Sequence, residues 1–143
     1  MTLTQHTALT AVAALALAPL YDAGSIALFA AGSILIDVDH YFLYIQRTRR
    51  FDIRGMFRYF AELQPIETTI PYVGLCIFHT FDFFLLVALL SYFQPFFIPL
   101  LAGFIFHFIF DLLHLYRKKV LFIRSFFLLE HFIRRRQKGY PWY

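Results

Sequence analysis

The sequence predicts an all-α fold: a polytopic membrane protein of about four transmembrane helices in an up-down bundle, with amphipathic helices at the interface. Three observations predict it. Hydrophobic residues make up 60% of the chain and charged ones 15%, where an ordinary soluble domain carries about 25% charged residues. Apolar stretches recur at lengths near the roughly 20 residues that a helical span requires. All 13 Lys and Arg lie in two segments, five within residues 47–69 and eight after Tyr116. At 143 residues the chain makes one domain, residues 1–143.

The first span, residues 3–20, is Ala-rich and ends at Pro19. No Lys or Arg precedes Tyr21. A secretory signal needs a positive n-region, so this segment reads as a retained span. After a short turn over residues 21–24, the second span covers 25–46. The basic connector 47–69 holds Arg47, Arg49, Arg50, Arg54 and Arg58, and its Phe51, Met56, Phe57 and Phe60 suggest a short interfacial helix. The third span covers 70–93, Gln94 and Pro95 make a tight turn, and the fourth span covers 96–116. In the tail, 117–143, Phe and Leu interleave with Arg124, Glu130 and His131 over 120–132, which reads as a second surface-lying helix. Arg134–Arg136 then contacts headgroups, and Tyr140-Pro141-Trp142-Tyr143 forms an aromatic anchor.

With four spans, both basic segments and the N-terminus share one face. The positive-inside rule makes that face cytoplasmic, so the expected location is the inner (plasma) membrane, multi-pass, with both termini in the cytoplasm. The net charge of +4 then serves anionic lipid headgroups of the bilayer. No groove-reading motif accompanies it, so no nucleic-acid partner is expected. The oligomeric state is left open. The single cysteine, Cys76, lies in an apolar run and reads as a small packed hydrophobe; neither a disulfide framework nor a zinc finger is available.

The apolar segments contain too many ionisable groups. Charged residues at mid-bilayer cost roughly 2.5–3.5 kcal/mol each on insertion scales. Yet the first span holds His6, the second Asp37, Asp39 and His40, the third His79 and Asp82, and the fourth His107, Asp111 and His114. At about 1.5 Å rise per residue these fall in one layer of the inner leaflet. A divalent cation neutralises carboxylates and takes neutral imidazole, so metal coordination is the economical solution. His107 and Asp111 are spaced i,i+4, and His114 follows at i+7, within about a 60° arc. His79–Asp82 and Asp37–His40 are i,i+3 pairs, the kind of spacing that di-metal helical bundles use. Asp39 points about 160° away from Asp37 on an unbroken helix, so both reach one ion only if the helix breaks there. Glu67 before the third span is an entrance residue, a ligand or a solvated loop acid. Glu62, Asp52 and Asp22 read as surface charges.

The run Gly32-Ser33-Ile34-Leu35-Ile36-Asp37-Val38-Asp39-His40 resembles the Asp-x-Asp-His signature of the YdjM-like membrane-bound metal-dependent hydrolases. Gly103 followed by His107-x-x-x-Asp111 resembles that family's later helix, Phe78-His79-Thr80 the end of its middle motif, and His6 its early histidine. The likeness covers residues 6–116. The chain departs from it at Gly74, which stands where the family carries a first His, and Asp82 is the candidate substitute ligand. A more distant likeness is to helical zinc-dependent phospholipase C enzymes. Depth, spacing and resemblance together give one or two divalent ions held among His6, Asp37, Asp39, His40, His79, Asp82, His107, Asp111 and His114. Zinc is the first expectation from the donor mixture, then manganese or iron. The expected reaction is hydrolysis of a lipid phosphate ester or phosphodiester at the cytoplasmic leaflet, with Asp39 or Asp82 as catalytic base. Two other classes fit the composition. A metal-ion or proton transport protein would use the same polar layer as a transit site. A haem- or pigment-binding or structural subunit of a membrane complex would use its histidines axially.

Overall fold

The computed structural model of the chain describes residues 3–70 and 73–137. It is helical, with no strand among the described residues. Seven α-helices follow in order: α1 (Leu3–Leu17), α2 (Ala23–Leu35), α3 (Val38–Thr48), α4 (Ile53–Leu63), α5 (Phe81–Phe93), α6 (Ile98–Arg117) and α7 (Leu128–Arg136). Single 3-10 turns lie at Gln64–Ile66, Ile77–His79, Pro95–Phe97 and Leu121–Ile123. Among the described residues two stretches are long and apolar enough to cross a membrane, Ala23–Thr48 (26 residues) and Pro95–Arg117 (23 residues), while α1 and α5 are shorter apolar helices. Of the four expected spans, the second and fourth thus have that length and apolarity among the described residues.

The chain divides into two compact units, Met1–Ile36 with Asp82–His114, and Asp37–Phe81 with Leu115–Tyr143. In the first, α2 starts at Asp22, whose carboxylate accepts from the Ser25 N–H at 3.0 Å and from its hydroxyl at 2.6 Å. That satisfies one of the orphan donors at the helix start. Helices α2 and α6 meet backbone to backbone. A Cβ on Gly103 would lie 2.1 Å from the Phe29 carbonyl oxygen, and one on Gly32 2.3 Å from that of Leu100. Small residues of this kind let helices approach closely where water supplies no driving force. Aromatic edges fill the rest: Phe83 against Phe104 at 5.3 Å and Phe84 against Phe108 at 4.9 Å.

In the second unit α3 ends at Arg49, which adopts a left-handed conformation (φ 59°) and returns its N–H to the Ile45 carbonyl. Asp52 caps α4 by accepting from the Gly55 N–H at 2.7 Å, and the Tyr44 hydroxyl donates to the same carboxylate at 2.9 Å. The tyrosine thereby fastens the start of α4 to α3. Residues 73–81, with the 3-10 turn Ile77–His79 among them, then run beside 123–126: the Val73 N–H bonds the Ile123 carbonyl at 2.9 Å and the Phe81 N–H that of Phe126 at 2.8 Å, about a parallel bridge of Gly74 with Arg124.

Two elements differ from the sequence expectation. Helix does not begin at residue 70 but at Phe81. Pro71 disfavours helical geometry at Ile70, and Gly74 takes φ +144°, which a side chain would strain. The surface helix expected over 120–132 is a 3-10 turn, Leu121–Ile123, and a bridge residue followed by α7, which starts only at Leu128. The anchor at Tyr140–Tyr143 lies outside the described residues.

Candidate metal centres

The predicted donors gather in each unit separately. In the first, His6 of α1 meets His107 and Asp111 of α6, all three buried, with ligand atoms within 4.8 Å of one another. His6 Nε2 lies 3.0 Å from Asp111 Oδ1, and the two imidazoles stack at 3.8 Å. The fold sets this up locally. Ser33 is among the last four residues of α2, whose carbonyls have no partner further along the helix. The close approach at Gly103, one turn before His107, brings the His107 ring to the Ser33 carbonyl, 2.7 Å from Nδ1. A carbonyl only accepts, so Nδ1 carries the proton, and in the neutral ring Nε2 carries the lone pair. The Thr10 hydroxyl donates to the His6 carbonyl at 2.8 Å and lies 2.6 Å from the Ser33 hydroxyl.

In the second unit Asp37, His40 and His79 form one group, and Asp39, His40 and Cys76 another, each with ligand atoms within 4.8 Å. The helix breaks where the sequence required. After α2 ends at Leu35, a turn precedes α3, which starts at Val38. Both carboxylates therefore face the same imidazole nitrogen: His40 Nδ1 is 3.3 Å from Asp37 Oδ1 and 2.9 Å from Asp39 Oδ1. The Asp39–His40 approach lacks hydrogen-bond geometry, and both atoms are buried without a hydrogen bond. Zinc bonds of about 2.0–2.2 Å put two donors of one tetrahedral ion about 3.3 Å apart, so these spacings suit atoms aimed at a shared cation. Asp39 Oδ2 accepts from the Phe78 N–H at 3.0 Å and pairs with His79 Nδ1 at 2.9 Å. That pairing turns His79 Nε2 to within 3.7 Å of Asp37 Oδ1. A carboxylate behind a ligating imidazole is the usual means of fixing its tautomer and orientation. On its far side, His40 Nε2 lies 3.3 Å from Arg124 Nη2.

The remaining candidates stand elsewhere. Asp82 is exposed in the first turn of α5, and His114 is half-buried on α6; neither belongs to a donor group among the described residues. Glu67 pairs with Lys118 at 2.9 Å, and His131, expected at an interface, is buried. Cys76, read from the sequence as packing, stands among donors. Its spacing of three before His79 is a metal-ligand spacing and was a usable signal. Arg124 beside His40 had none, because its place follows from the bridge to Gly74.

Comparison with protein-family models, with curated proteins and with solved structures finds no match for this chain.

Proposed function

We propose that the chain is a membrane-embedded, metal-dependent hydrolase whose working centre is the Asp37–Asp39–His40–His79 group, acting on a phosphate ester or phosphodiester of a lipid at the cytoplasmic leaflet. The observation that carries the choice of group is its graded burial. Asp39 and His79 side chains are 2% and 1% exposed, while Asp37 and His40 are 23% and 19% exposed. Such a site has a fixed floor and a mouth that water and substrate can reach. The His6–His107–Asp111 group is buried throughout, which suits a clamp between helices better than turnover.

His40 Nδ1, His79 Nε2 and the Asp37 carboxylate would hold the ion, with Asp39 as the positioning residue that orients His79. When bound, a divalent cation lowers the pKa of a water and polarises a phosphoryl oxygen. Asp37, at the mouth, is placed to take the proton of that water. Arg124 supplies the anion contact: guanidinium donors match phosphate oxygens in pairs. Its contact with His40 Nε2 has a consequence for loading. Arg has only donors, so the contact favours the tautomer protonated on Nδ1. Coordination through Nδ1 requires the opposite tautomer, which sets two donors against each other and turns Arg124 toward substrate. The resemblance to YdjM-like hydrolases supports the same chemistry. The apolar faces of α1 and α5, with Leu15 75% and Leu85 71% exposed, support a lipid surrounding.

The test is hydrolysis of a phospholipid panel and of a generic aryl phosphodiester by the full chain in mild detergent with zinc. Wild type should turn over at least one substrate. His40→Ala should abolish activity with helicity retained. Arg124→Gln should raise KM while zinc affinity holds or rises. Zinc-loaded wild type that hydrolyses nothing across the panel contradicts the reading.

A further inference from the structure

We propose that the Cys76 thiolate is a ligand of this same metal, so that the centre is a mixed nitrogen, oxygen and sulfur site selective for zinc. The inference rests on the metal reading above and deepens it by naming the cation.

Cys76 Sγ lies within 4.8 Å of the ligand atoms of Asp39 and His40 and is 4% exposed. The second observation is Asp39 itself. It is 2% exposed, and its Oδ1 makes no hydrogen bond and lies 2.9 Å from His40 Nδ1. A buried carboxylate oxygen in that state is costly unless a cation completes it. His40 appears in both donor groups of the second unit. Its Nε2 is turned to Arg124, so Nδ1 is the nitrogen that faces the donors. One imidazole nitrogen binds one ion through one lone pair. The two groups thus share His40 as a common donor, with Cys76 on the Asp39 side of it.

Local backbone explains why sulfur serves here. Gly74 has φ +144°, and a Cβ on it would lie 2.6 Å from Leu43 Cδ1, so no side chain from that residue can reach the ion. The chain next turns at Cys76, which precedes the 3-10 turn Ile77–His79 and brackets it as Cys-x-x-His. The turn's two ends thus present a thiol and an imidazole toward one residue, Asp39. Thiolate is a soft donor that favours zinc, whereas manganese and magnesium prefer all-oxygen shells.

The probe is Co²⁺, titrated into the metal-stripped full chain in detergent. Cys76 is the sole cysteine, so thiolate-to-cobalt charge-transfer absorption in the near ultraviolet has one source. Wild type should show that absorption together with the visible ligand-field bands. Cys76→Ser should keep the visible bands, lose the charge-transfer band, and bind zinc about tenfold or more weakly in chelator competition. Visible bands without charge transfer in wild type overturn the sulfur ligand and leave the metal reading standing. No visible bands at all remove both. The wild-type spectrum decides even if the variant fails to fold.

Discussion

Asp39 uses its two oxygens differently. Oδ2 is held by the Phe78 N–H and His79 Nδ1, and Oδ1 faces His40 Nδ1. The sequence expectation of Asp39 as a catalytic base therefore gives way to a proposal that it positions His79. Asp39→Asn should keep helicity and lower zinc affinity about 10–100-fold, since an amide cannot both accept from His79 and carry charge to the ion. Chelator competition measures this, and wild-type affinity in the variant would refute the positioning role. Asp37, Asp39, His40 and His79 were legible as donors because ionisable residues in apolar runs need partners. Their joint use of one nitrogen was legible only as a condition, that the helix break between Leu35 and Val38. Cys76 was read as a packed residue because a lone cysteine in an apolar run usually packs, and it is buried as expected. Asp82, expected on one long helix with His79, is exposed in the first turn of a helix that starts at Phe81.

Close helix contact decides the geometry of the first unit. Gly103→Ala would put a methyl 2.1 Å from the Phe29 carbonyl oxygen. Helices α2 and α6 must then separate, at about 1–3 kcal/mol, and the His107–Ser33 bond lengthens with them. Thermal unfolding in detergent should show a lowered midpoint, and an unchanged midpoint would mean the contact carries no weight. The second unit has a pH dependence. Burial first, then Arg135 and Arg47, push the His131 imidazole of α7 below its ordinary value. The folded state thus prefers neutral His131, and its contribution is present above about pH 6.5 and lost as pH falls through the lowered value. Asp52, held low chiefly by the Tyr44 hydroxyl, is likewise lost on acidification, below the usual carboxylate range. His131→Phe should abolish the upper step of acid destabilisation and leave the lower one. The same pH profile in wild type and variant would show that His131 titrates freely. Sequence periodicity found α4 and α6, where apolar runs meet caps and turns. It missed the pairing of 73–81 with 123–126, because the fixing bonds join distant residues.

For the whole molecule, composition announced an all-helical, strongly apolar chain, and two helices have the length and apolarity to cross a membrane. The one-sided spread of its 13 basic residues supports a proposed topology with both termini and the 47–69 connector in the cytoplasm. The single polar layer expected from helical depth takes the form of donor groups internal to each unit. Depth counts residues along straight helices, whereas a turn at Ile36–Asp37 parts α2 from α3 and a 3-10 turn, Ile77–His79, precedes α5. The proposed divalent cation at His40 is tested most directly by elemental mass spectrometry of the full chain purified in mild detergent. About one zinc per chain at the least is expected in wild type, with a clear loss in His40→Ala folded to the same helicity. Wild type free of zinc, manganese and iron after reloading, or carrying a haem absorbance band instead, would contradict it.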